Sequence, residues 1–322
     1  MSQPPPDRRL HGDVRQPRAD MPVAQPGSWR RLTRLDLLRP DGPAGDLVVR
    51  GRARDSTTGS DGRSGRCSDA ELEATVDYHD GRRLLRLATS PALPELVDLV
   101  GSSAIAGFRG RAGLDAVAGF SAPLAALLDD VPVGVLISGH AVSAARGPDS
   151  ENVTVSSGYI PIADQCAGYA ADGALMTSIA ERGRSPVADG PAAPTLRGAP
   201  DWMSEPLAVH GMRRIRRIDR RITDGSVRID AMFRDTYRRV DGAETVVHEY
   251  ELTVVADATT GVVDRAVATP RVLPWSDCPG AVASAGRLAG TTLDRIDEQV
   301  RRDFRGVGTC THLNDLLRSI TP

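Results

Sequence analysis

Five residues in the last third of the chain carry side chains that bind metals or attack electrophiles: Asp235, His248, Cys278, Cys310 and His312. The tightest spacing lies in VGTCTHLNDLLRS, where Cys310 and His312 stand two apart ahead of an amphipathic stretch, Leu313 to Ile320. Cys, His and Asp are zinc-binding side chains, and an ion needs them from several elements converging on one point. The spacing fits neither a zinc finger nor a ribbon. Cys278, in SDCPGA, is expected at the first turn of a helix, where unpaired backbone N–H groups lower a thiol pKa and favour ligation or nucleophilic attack. Cys310 is placed similarly.

Two chemistries are open to this set. One is a zinc site made by His248, Cys278, Cys310 and either His312 or Asp235. Three protein ligands leave a position where water is activated, and four make the site structural. The other is a thiol enzyme in which Cys278 or Cys310 attacks an acyl-type carbon, with His312 or His248 as base and Asp235 orienting it. No nucleophile elbow or family-specific cysteine signature supports that second chemistry, so the metal reading ranks first. A non-catalytic metal or iron-sulfur carrier is the third.

The elements that must position these residues follow from periodicity. VRIDAMFRDTY and VVHEYELTVVAD alternate apolar and polar at period 2 and are expected strands, and TTGVVDRAVATP resumes as a strand after a turn. CPGAVASAGRLAG is expected to be an Ala-rich helix opening near Pro279. TLDRIDEQVRRDFRG is expected to be an amphipathic helix capped by Thr292 and stopped at Gly306, and THLNDLLRSI a short last helix. A small antiparallel sheet with helices on one face is an α+β fold.

The same pattern occurs twice. SWRRLTRLDLL aligns with GMRRIRRIDRR at an offset of 213 − 30 = 183, bringing Asp36 onto Asp219. Asp55 then falls on Asp235, Gly81 on Gly261 and Pro94 on Pro274 at 235 − 55 = 180, and His140 on His312 at 312 − 140 = 172. The expected organisation is a degenerate tandem duplication: a disordered tail over 1–27, a first copy over 28–146, a linker over 147–206 and a second copy over 207–322. The first copy has Ser68, Asp98 and Ser138 opposite His248, Cys278 and Cys310, so it is expected to have kept the fold and lost the site. His140, Cys67, Cys166, His79 and His210 are then expected to be structural. The cleft between the copies is the expected place for a small-molecule substrate.

Composition narrows the function classes. The chain has 322 residues, 40% hydrophobic and 25% charged, enough for two cores. Its net charge is −2 and its basic residues are all Arg, interleaved with acids, which disfavours nucleic acid as a partner. The basic run MRRIRRIDRR is expected to be a strand or short amphipathic element with a solvated face. The longest apolar-leaning run, Asp130 to Ala144, falls short of the roughly 20 residues that cross a bilayer. The N-terminus has no apolar signal region, and the four cysteines make no disulfide framework, so a cytoplasmic protein with reduced thiols is expected.

Residues 212–320 resemble a bacterial family catalogued only as a domain of unknown function. Its members share an Arg-Arg-Ile opening, an Arg-Asp strand, a His-containing strand, a Cys before a helix and a closing Gly-x-Cys-Thr-His-Leu. Here these are MRRIRRID, FRDTY, VVHEYELTV, SDCPGA and GTCTHLNDLL. The order of elements also resembles, more distantly, the iron-sulfur cluster scaffold proteins. That resemblance implies metal or cluster binding by His248, Cys278, Cys310 and His312. Unlike those scaffolds, this chain has His in place of the first Cys and Cys-Thr-His in place of an adjacent His-Cys pair, which favours zinc over a cluster.

Overall fold

The computed structural model of the protein describes residues 16–145, 162–183 and 186–321. It is an α+β fold on one antiparallel sheet of eight strands: β1 (Ser28–Leu38), β2 (Leu47–Thr58), β3 (Ser64–Asp77), β4 (Arg83–Ser90), β5 (Met212–Thr223), β6 (Ser226–Arg238), β7 (Glu244–Asp257) and β8 (Val263–Val272). The order across the sheet is β4-β3-β2-β1-β5-β6-β7-β8. The two small sheets expected from the sequence are therefore two four-strand meanders joined edge to edge, from Ser28↔Arg221 to Leu37↔Met212. Joining them leaves neither inner edge open to another chain.

Helices follow each meander: α1 (Phe108–Arg111), α2 (Leu114–Phe120), α3 (Ala122–Ile137) and α4 (Gly139–Ala145) after the first, and α6 (Ile296–Asp303) and α7 (Thr311–Ser319) after the second, with α5 (Ala174–Arg182) between. Leu124, Leu127, Val131 and Val135 of α3 join a core with Leu35, Leu37, Val49 and Ala53. Leu313, Leu316 and Leu317 of α7 join a second with Ile218, Phe233, Tyr250 and Leu252. The continuous run Ala122–Ala145 is long and apolar enough to cross a membrane, and 61% of its most apolar window is buried. Its Asp130 is fully buried 2.6 Å from Arg216, which marks a core helix. The run outlasts its apolar pattern because Pro132 and Gly134 do not break α3.

Three sequence expectations are corrected. MRRIRRI is not a solvated face: Arg213, Arg214, Arg216 and Arg217 are all buried, because helices cover one side of β5 and residues near the chain start and the 190s cover the other. On that second side Met21, Leu196, Trp202 and Met203 pack with Leu32 and Ile215, so chain expected to be tail or linker supplies core. The first 15 residues and most of the Gly/Ser-rich part of the linker lie outside the described residues. The segment expected to be an Ala-rich helix, Cys278–Leu288, is 3-10 throughout, and α6 starts only at Ile296, after a short 3-10 turn at Leu293–Arg295.

Ion pairs recur in matching places. Arg31 holds Asp55 with two bonds of 2.7 Å across β1 and β2, and Arg214 holds Asp235 with bonds of 2.7 and 2.9 Å across β5 and β6. Across the β1–β5 join, Arg30 pairs with Asp219 and Arg213 with Asp36, each bidentate. Asp55 faces Ser68 on β3, where Asp235 faces His248 on β7.

Candidate metal centre

Asp235, His248 and His312 offer ligand atoms that all lie within 4.8 Å of one another. Asp235 lies near the end of β6, three residues before Arg238, and is buried completely. His248 is its cross-strand neighbour on β7, next to a register shift: Asp235 pairs with His248, but Thr236 pairs with Val246. The extra residue, Val247, belongs to the first apolar core, so this bulge re-aims the chain beside the site. His312 comes from the first turn of α7. Cys310 begins that helix by accepting the Asn314 amide at 2.8 Å, and the Asn314 side chain ties it to the Phe304 carbonyl at 2.9 Å.

The His248 and His312 rings stack with centroids 3.9 Å apart, and Asp235 Oδ2 lies 4.0 Å from His248 Nδ1. Phe233 stacks on His312 at 6.4 Å, and the Arg214 guanidinium lies over Phe233 at 5.0 Å. Arg214 bridges two carboxylates, Asp235 and, at 2.9 Å, Asp315 of α7. Arg216 then joins Asp315 at 2.8 Å to Asp130 of α3 at 2.6 Å. At this level the boundary between the two halves is filled by buried ion pairs, which is where the sequence placed a substrate cleft.

This setting keeps the imidazoles neutral. Burial, with Arg214 close by, pushes His312 down to about 3. Burial and then His312 hold His248 well below the ordinary imidazole range, against the opposing pull of Asp235. Burial alone pushes His140, which stands edge-on to Tyr237 at 5.0 Å, down to about 4. In Asp315 burial is outweighed by four arginines, Arg216 first, so it stays ionised well below the carboxylate range.

Cys278 and Cys310 fall outside the Asp235, His248 and His312 group. Both are buried in the second apolar core with Tyr250, whose hydroxyl stands beside the Cys310 thiol. Burial pushes Cys310 up to about 12 and Cys278 well above the ordinary thiol range. Backbone N–H groups beside each thiol act in the lowering direction expected from the sequence, but burial outweighs them and favours the neutral thiol. Cys166, expected to be filler, and the charged residues Arg214 and Asp315 were missed as parts of this region. The unbroken burial of β5 arginines has no period-2 signature to betray it.

Residues 212–322 match the family model described as Protein of unknown function (DUF2889). No curated protein and no solved structure matches the chain. The matched span, about a third of the chain, contains all of Asp235, His248, Cys278, Cys310 and His312.

Proposed function

We propose that His248, His312 and Asp235 hold a divalent transition-metal ion, zinc by preference, with one position left open, and that the protein is a metal-dependent enzyme acting on a small molecule. The observation that carries this is the convergence of three ligand atoms within 4.8 Å from β6, β7 and α7. Neutral imidazole is the ligating form, and both rings are neutral. Two donors of a tetrahedral zinc ion sit about 3.4 Å apart, so the 4.0 Å between Asp235 and His248 asks for a shift of a few tenths of an ångström and a splaying of the rings. Asp235 keeps lone pairs for a metal while it accepts from Arg214.

Charge narrows the substrate. Arg214 and Arg216 are already matched by Asp235, Asp315 and Asp130. A 2+ ion added there favours an anion at the open position: a metal-bound hydroxide or the carboxylate or phosphate of a substrate. His312 is the least buried of the three.

The matching ion pairs support descent of the two meanders from one duplicated unit. In this reading the first half kept Arg31 with Asp55 and carries Ser68 where the second carries His248. It then serves as the wall of the site.

Cobalt(II) titration of chelator-treated protein tests the proposal, followed by visible ligand-field absorption. One equivalent bound by wild type and lost in His248→Gln and His312→Gln supports the site. Equal binding by all three proteins removes it.

A further inference from the structure

His140, the second residue of α4, belongs to the first half of the chain but lies against the second. Its ring stands edge-on to Tyr237 of β6, 5.0 Å between centroids. Tyr237 follows Asp235 by two residues on the same strand, so both side chains leave the sheet on one face. His140 is also close enough to His248 for a charge on one to oppose a charge on the other. Its Nε2 is buried and has no hydrogen-bond partner. The Tyr237 hydroxyl is turned instead to Nδ1 of His210, at 3.1 Å.

A buried imidazole nitrogen without a partner loses its hydration with nothing in return. His140 lies outside the group whose ligand atoms are all within 4.8 Å of one another, so an ion held by Asp235, His248 and His312 does not take it as a ligand. A molecule on the ion's open position extends beyond those three residues and needs a donor for its far atoms. Burial keeps His140 neutral, pushing it down to about 4, and a neutral imidazole has one N–H to give. The surrounding charges set the kind of molecule. Asp235, Asp315 and Asp130 carry three negative charges against two positive on Arg214 and Arg216, so a 2+ ion leaves one positive charge in excess. Arg109 and Arg318, which also reach Asp315, are matched by Asp129 and Asp297. A carboxylate brings the single negative charge that balances this, whereas a phosphate monoester brings nearly two.

We propose that His140 selects a small carboxylate at the open position: one carboxylate oxygen binds the ion and the other accepts a hydrogen bond from His140 Nε2. This rests on the metal reading of Asp235, His248 and His312. A water molecule leaves the ion as the carboxylate enters, and no proton is transferred. The first half of the chain thus supplies a side chain to the site as well as its wall. The three ligands choose the ion, and His140 chooses the molecule bound to it.

Acetate titration of the cobalt(II)-loaded protein, followed by ligand-field absorption, tests this. Wild type is expected to show a saturable spectral change with acetate, at lower concentration than with inorganic phosphate. His140→Phe keeps an aromatic ring beside Tyr237 and removes the N–H. It is expected to bind cobalt as wild type does and to bind acetate at least about tenfold more weakly, the loss of one hydrogen bond to a charged group. Equal acetate affinity in the two proteins overturns this role of His140 and leaves the metal site standing. Phosphate binding ahead of acetate overturns the carboxylate. Loss of cobalt from folded His140→Phe makes His140 a ligand and overturns the proposal as well. A wild type that binds no cobalt removes the metal reading and this inference with it. Should His140→Phe fail to fold, long-range proton–nitrogen NMR spectra of the zinc-loaded wild type decide: the His140 Nε2 signal is expected to move as acetate is added, and an unmoved signal contradicts the contact.

Discussion

The imidazoles of His248 and His312 lie face to face, 3.9 Å between centroids and 24° out of parallel, although the two residues are brought together by a strand and a helix 64 positions apart (312 − 248). Two cationic rings could not occupy that arrangement.

Protonation is therefore predicted to oppose folding. The folded-state values of His312, about 3, and His140, about 4, lie below the ordinary imidazole value of about 6.5, and His248 is shifted the same way. Groups with depressed values contribute stability in full above about pH 6.5 and lose it as the pH falls towards 4. Urea unfolding across that window should show a loss on the order of a few kcal/mol, reduced in His312→Gln. A flat profile in the wild type would mean the rings are accessible to protons.

Asp235 and Asp55 occupy matching ion pairs with different burial, 1% against 11% side-chain exposure. Asp235→Asn should cost about 3–5 kcal/mol, since it leaves buried Arg214 with Asp315 alone. Asp55→Asn should cost clearly less. Denaturant midpoints of the two variants provide the comparison, and equal losses would contradict the ranking.

Asp130 titrates in the opposite sense. Burial raises its carboxyl to about 6 despite Arg216, so its contribution is full at low pH and is lost as the pH rises through 6. Asn mimics the protonated form. Asp130→Asn should be more stable than wild type at pH 8, by about 2–3 kcal/mol, and the difference should close only as the pH falls to about 4. A less stable variant at pH 8 would show that the pairing with Arg216 outweighs burial.

Gly134 lets α3 lie directly on β1, where a Cβ would come within 2.5 Å of Leu35. Gly134→Ala should destabilise by about 1–3 kcal/mol by overpacking. Thermal unfolding checks it, and an unchanged midpoint would place the helix further from the sheet.

The strands of the second meander were legible because VRIDAMFRDTY and VVHEYELTVVAD alternate cleanly, and Asp235 and His248 on them were found for the same reason. The start of α7 was legible from the TCTH step before an apolar stripe. What was hidden depends on contacts distant in sequence. Arg214 looks like any exposed arginine until Asp235 and Asp315 close on it, and Cys166 sits in a stretch whose Gly and Pro content reads as linker. That Asp235, His248 and His312 come together while Cys278 and Cys310 stay outside the group rests on where β6, β7 and α7 converge, and spacing along the chain does not encode that.

The most direct test is elemental analysis of freshly purified wild type beside His248→Gln, His312→Gln and the remote control His79→Gln. The account predicts zinc in the wild type and the control, with one equivalent fewer in each of the other two variants. Wild type without metal, or the same metal content in all four proteins, would contradict it.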